Sequence, residues 1–146
     1  GSLMYHSHHN ATDQVGRGLL GAFIVDPPTP QAAYDRVFAS PLVRARESAE
    51  IVLRPLEPAP ALEIIEELVP DAEPAEVVMA LRAHGADSGR VLLVSHMPLL
   101  GDLAAHLCDG GAIALMPGQL VRLEFATAFG RAGGRRVMSV SAGSLE

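Results

Sequence analysis

The sequence has no tryptophan, a single cysteine, two tyrosines and four phenylalanines in 146 residues. One cysteine permits no internal disulfide. Cys108 therefore reads as a buried or free thiol of a reducing compartment, since stapled secreted scaffolds carry even and larger cysteine sets. No apolar run approaches the roughly 18 to 20 residues that cross a bilayer, and no charged-then-apolar leader opens the chain. A soluble, cytoplasmic protein without a membrane partner is expected. Bases are outnumbered, 11 against 17 acids, for a net charge of −6. That balance argues against a nucleic-acid partner held by phosphate neutralisation, although Arg131, Arg135 and Arg136 make the tail locally basic. Internal repeats and low-complexity segments are also missing.

What is present is an apolar fraction of 49%. A chain of this length buries roughly 68–70% of the surface its unfolded form exposes, so one compact domain needs neither disulfide nor metal to fold. Gly1-Ser2 and Leu145-Glu146 have the look of restriction-site and tag remnants and are set aside in reading the fold. Histidine is unevenly placed: three of the six are His6, His8 and His9. Charge is uneven too. Between Glu57 and Glu76 lie seven acids (Glu57, Glu63, Glu66, Glu67, Asp71, Glu73 and Glu76) and no base, which reads as a solvated face around a proline-rich loop.

Along the chain, Gly21 to Val25 is a short apolar run closed by Asp26-Pro27-Pro28, a strand with a proline turn. Val37-Phe38-Ala39 is a second strand. Ser40 can cap and Pro41 can start a helix whose apolar face runs through Leu42, Ala45, Ala49, Val52 and Leu53. Ala61 to Ile65 suits an edge strand. Glu73-Pro74 opens a helix through Val77, Val78 and Leu81 that stops at His84-Gly85. Val91 to Val94 is four consecutive apolar residues, the pattern of a parallel strand covered on both faces. Pro98 begins a helix running to Cys108. Leu120 to Phe125 and Arg136 to Val140 make an antiparallel pair. Strands alternating with helices predict an α/β three-layer sandwich with a mostly parallel sheet.

Two strand ends share one pattern, an apolar strand followed by Ser and then Pro near a helix start. Ligands collect at such carboxyl ends, and helix N-termini there favour anions. The candidates are Arg44, one turn into the helix after Ser40-Pro41, and His96, directly after Ser95. Together they suit a phosphate or sulfate; separately they read as a surface arginine and a hydrogen-bonded strand-end histidine.

Asp35-Arg36-Val37-Phe38-Ala39-Ser40-Pro41-Leu42-Val43-Arg44-Ala45, with Glu47-Ser48-Ala49 following, resembles the second-strand signature of the histidine phosphatase superfamily. Val91 to Leu100 (VLLVSHMPLL) resembles its late strand ending in the second pocket histidine. Glu67-Leu68-Val69-Pro70 and the short helical insert resemble the compact SixA-type phosphohistidine phosphatases. The resemblance runs from about Tyr34 to about Val140. It implies the phosphoglycerate mutase-like fold of that superfamily, with Arg44 and His96 holding the phosphoryl group. It also implies no need for a carboxylate general acid, although Glu66 and Glu67 remain candidates for that role. The superfamily's opening strand ends in Arg-His-Gly, whose histidine attacks phosphorus, and no Arg-His-Gly occurs in this sequence. In-line attack requires the nucleophile within about 3–3.5 Å of its target, so no catalytic residue is assigned.

Tyr5-His6-Ser7-His8-His9-Asn10, with Asp13-Gln14 and Gly18 to Pro27 (GLLGAFIVDP), resembles instead a copper-ligand segment of a multicopper oxidase. That family's further His-x-His pairs and its late Cys-His cluster are absent, so oxidase chemistry is not expected and no cofactor is assigned. His6, His8 and His9 remain adventitious metal ligands at most, or parts of a plain N-terminal strand. Two dissimilar pieces in one chain suggest an artificial chimera: residues 1–30 a foreign segment supplying one strand, residues 31–146 a truncated phosphatase-like region, together one folded domain. Gly21 to Val25 is expected to fill the slot left by the missing strand, with antiparallel insertion or exchange between two chains as the competing arrangements. Parallel insertion would bring Asp26 near Arg44. Three functional readings follow. The first is a folded scaffold without efficient catalysis that keeps an anion site; the second is a phosphohistidine or phosphomonoester phosphatase with a recruited N-terminal histidine; the third is a metal-binding module.

Overall fold

The computed structural model describes residues 2–5, 21–24, 34–108, 114–116, 118–126 and 129–140. Its elements in chain order are β1 (Ser2–Tyr5), β2 (Gly21–Ile24), β3 (Arg36–Ala39), α1 (Val43–Leu53), β4 (Leu62–Ile64), a 3-10 turn (Glu66–Leu68), α2 (Pro74–Ala83), β5 (Val91–Val94), α3 (Leu99–Cys108), β6 (Leu120–Phe125) and β7 (Gly134–Val140). β3 lies between β4 and β5, parallel to both, with Ala39 opposite Ile64 on one side and Val94 on the other.

Side chains alternate across a strand, so neighbouring residues of β3 serve opposite faces. Val37 packs with Tyr34, Val52 and Leu92 on the face that α1 covers. Phe38 packs with Val77, Leu81, Leu99, Leu103 and Leu107 on the face that α2 and α3 cover. β5 divides in the same way, Leu92 and Val94 to one side and Val91 and Leu93 to the other. The helices present matching stripes: Ala45, Ser48, Ala49 and Val52 are the buried residues of α1, and Val77, Val78 and Leu81 those of α2. This is the expected three-layer α/β arrangement with a parallel sheet. β6 and β7 pair antiparallel, as predicted, with a register irregularity between Arg122 and Leu123. Their Leu123 and Phe125, with Phe129, pack against the α2/α3 core.

Three local expectations change. α1 starts at Val43 rather than Pro41. The Ser40 amide is still in the sheet, donating to the Val94 carbonyl at 3.0 Å, so the helix begins only beyond it. β5 buries Leu92 but leaves Val91, Leu93 and Val94 half-buried, because it is an outer strand of its sheet among the described residues. Gly21–Ile24 does not enter that sheet. It pairs antiparallel with Ser2–Tyr5, from Ser2 opposite Ile24 to Tyr5 opposite Gly21, and lies beside α1. A parallel crossover needs about 10–12 residues or more, and the expected slot allowed no margin; a local antiparallel pair has no such minimum.

Six of the seven acids between Glu57 and Glu76 are exposed, in line with a solvated face. Glu63 is the exception, half-buried and contacted by Arg36 at 3.7 Å and His84 Nδ1 at 3.4 Å. Cys108 is a free, half-buried thiol. Burial raises its pKa, against the opposing pull of the Arg136 guanidinium and backbone. Among the described residues no helix is long and apolar enough to cross a membrane.

Candidate functional site

β3 and β5 end side by side, so the residues that follow them leave the sheet at one rim. After β3, the Ser40 hydroxyl accepts a hydrogen bond from the Leu42 amide at 3.3 Å, and α1 begins one residue later. Arg44 is thus in the first turn of the helix, where leading amides precede the intrahelical bonds and carry the positive end of the dipole. Buried Ser48 donates to the Arg44 carbonyl at 2.8 Å. After β5, Ser95 and His96 bridge to α3. The His96 carbonyl accepts from the Leu100 amide at 3.0 Å, which fixes the histidine backbone at the helix entrance.

The two candidate residues meet. Arg44 Nε donates to His96 Nδ1 at 3.0 Å across 52 positions of sequence. Because Nδ1 accepts, the proton of the neutral ring sits on Nε2. That atom is buried and has no hydrogen-bond partner among the described residues. His96 is 9% exposed. Burial lowers its pKa below 6.5, and the adjacent Arg44 charge lowers it further. Protonation would also put a second hydrogen between Nδ1 and the Arg44 donor, so the pair is self-consistent only with a neutral imidazole.

The site thus offers one neutral N–H donor and one fixed positive charge. With Nε engaged by His96, Arg44 keeps its terminal nitrogens for another acceptor, and among the described residues no carboxylate pairs with it. An oxyanion matches this set of donors. Glu66 and Glu67 are exposed on the 3-10 turn and pair with neither residue. Asp26, His6, His8 and His9 lie outside the described residues; among those described, no group of three metal-ligating side chains occurs.

Arg44 and His96 were both signalled by the strand-Ser-Pro pattern. Ser95 reads from the sequence as the end of a strand, and in the structure its hydroxyl donates to the Leu68 carbonyl at 2.7 Å. The repeated serine in the two patterns was the available signal.

No family model matches the chain. It is 38% identical over 79 residues to phosphohistidine phosphatase SixA of Escherichia coli (strain K12), a stretch that is 52% of this chain and 48% of that protein. The chain therefore spans about half the length of this curated relative. The structure of the protein histidine phosphatase SixA complexed with tungstate superposes with a TM-score of 0.64 at 26% identity, covering 77% of this chain and 72% of that one. The α/β fold matches that of SixA, and sequence and structure both relate the chain to SixA-like histidine phosphatases.

Proposed function

We propose that the chain is a SixA-like scaffold that holds a phosphate-like oxyanion between Arg44 and His96 without efficient turnover, joined to an N-terminal segment of different origin. The observation that carries this reading is the buried Nε2–H of His96, unpartnered among the described residues, beside the Arg44 guanidinium. A buried donor left without an acceptor costs about 1–3 kcal/mol, and an oxyanion oxygen removes that cost while meeting the charge of Arg44. Tungstate, a tetrahedral oxyanion, is the ligand of the SixA structure to which this fold is similar. The same ligand class suits this pair.

The same geometry supports the lack of turnover. A histidine nucleophile needs a free ring lone pair, whereas His96 Nδ1 is taken by Arg44 and Nε2 carries the proton. His96 is a donor in this site, and the sequence has no Arg-His-Gly to supply another nucleophile. The chimeric origin is supported by the unlike motifs of residues 1–30 and 31–146. A strand-exchanged homodimer belongs to the same reading, because the outer edge of β5 has no strand partner among the described residues and open edges recruit strands.

Calorimetric titration with tungstate and inorganic phosphate tests the site. Saturable binding is expected, weakened about 10-fold to 100-fold in Arg44→Ala or His96→Ala, the range of a charge-assisted hydrogen bond. Hydrolysis of p-nitrophenyl phosphate should stay at background. Failure of the wild-type chain to bind either anion overturns the oxyanion site, and a phosphohistidine mapped to His6, His8 or His9 overturns the lack of turnover.

A further inference from the structure

We infer that Ser95 is a positioning residue for the Arg44–His96 pair, acting by tying the histidine's strand end to the buried 3-10 turn. The inference rests on the oxyanion reading above and concerns how that site keeps its shape.

Three hydrogen bonds close a ring around the carboxyl ends of the strands. The Ser40 amide donates to the Val94 carbonyl at 3.0 Å, joining β3 to β5. The Ile65 amide donates to the Ala39 carbonyl at 3.1 Å, joining the approach to the turn to β3. The Ser95 hydroxyl donates to the Leu68 carbonyl at 2.7 Å, joining the turn to the residue before His96. The first two are backbone bonds and survive any side-chain change. The third exists only because residue 95 has a hydroxyl.

Its acceptor is well anchored. Leu68 is fully buried and packs in the same core as Phe38, Ile65 and Leu99. Ser95 is thus held against a fixed point on one side, and His96 is held on the other by its carbonyl bond to Leu100. With both restraints, the imidazole meets Arg44 Nε at 3.0 Å. Hydrogen bonds lose strength steeply with distance and angle, so a small swing of residues 95–96 breaks the pair without unfolding anything. The Ser95 hydroxyl is directed to Leu68 rather than to Arg44 or His96; its effect passes through the backbone.

The test uses the full chain, reading tungstate affinity by calorimetry and the His96 ring by NMR titration. In Ser95→Ala, tungstate affinity should fall about tenfold, and the His96 titration should move up toward the ordinary histidine value as Nδ1 loses its donor. Ser95→Thr, which keeps the hydroxyl, should restore both. Unchanged affinity and unchanged His96 titration in Ser95→Ala overturn the inference, as does a variant that loses only melting temperature. If Ser95→Ala does not fold, Ser95→Cys, with a weaker donor, should give an intermediate titration shift, and no shift in it overturns the inference. If the wild type does not bind tungstate, the oxyanion reading fails, while the His96 titrations still decide the role of Ser95.

Discussion

A histidine that accepts a hydrogen bond from an arginine cannot take up another proton without giving that bond up. His96 is in that position, and burial together with the Arg44 charge depresses its pKa below 6.5. The unfolded chain, by contrast, protonates this residue near the ordinary value. As the pH falls through about 6.5 the unfolded state gains a proton that the folded state refuses, so stability should drop until the pH passes the folded pKa. Denaturant unfolding of the wild type and of His96→Gln between about pH 7.5 and about pH 5.5, one unit either side of the ordinary value, checks this: the stability difference between them should narrow on acidification. Arg44 and His96 were legible as site residues because each lies at a strand end marked by Ser and Pro, Arg44 after Ser40-Pro41 and His96 between Ser95 and Pro98. Their direct bond was not, since nothing in a linear sequence states that two residues 52 apart are donor and acceptor of one hydrogen bond. Ser95 was not legible as a site residue for a similar reason: its acceptor, the Leu68 carbonyl, lies on a different element.

At the scale of elements, the end of α2 shows how closely local chemistry tracked local structure. The His84-Gly85 stop signal is realised with Gly85 at φ +69°, the Gly85 amide donating to Arg82 and the Ala86 amide to Leu81. That pair of bonds is a Schellman closure, and buried Ala86 packs in the core that holds Leu81. A Cβ on Gly85 would meet only Arg36 at 3.8 Å, so the effect of Gly85→Ala is conformational. It should destabilise by about 1–2 kcal/mol, measurable as a lowered urea midpoint with an unchanged slope. Strands β3, β4 and β5 and helices α2 and α3 were readable because apolar period and terminal residues agreed. The start of α1 was not, because Ser40 is claimed by the sheet before it can cap. The partner of Gly21–Ile24 was not either: a four-residue apolar run specifies a strand but not its neighbour.

For the whole molecule, the sheet of three short strands separates two unlike cores. One is the larger set under α2 and α3, the other the smaller set under α1. β3 supplies both, through Phe38 and Val37. The layer order was legible because β-strand and helix patterns alternate, whereas the closure of the sheet beyond β5 depends on long-range pairing that no local pattern encodes. If exchange between copies closes that edge, light scattering at increasing concentration should give a mass rising from one chain to two. A single-chain mass at all concentrations would count against the dimer.

The sheet is also chemically lopsided. Asp35 accepts from the Arg90 amide at the rim where β3 and β5 begin, while Arg36 reaches from that rim to Glu63 of β4, which stands opposite Phe38. Arg44 and His96 sit where those strands end. Four residues at about 3.3 Å each place the two rims some 13 Å apart, beyond the screening length of about 8 Å at physiological salt. Exposed positions at the starting rim are therefore open to charge changes, whereas Asp35, which holds the Arg90 amide, is structural. Dyes, surface anchors or altered charges attached there would leave the field at the anion site almost untouched, and the protein could be immobilised by one end while the other stays open to solution.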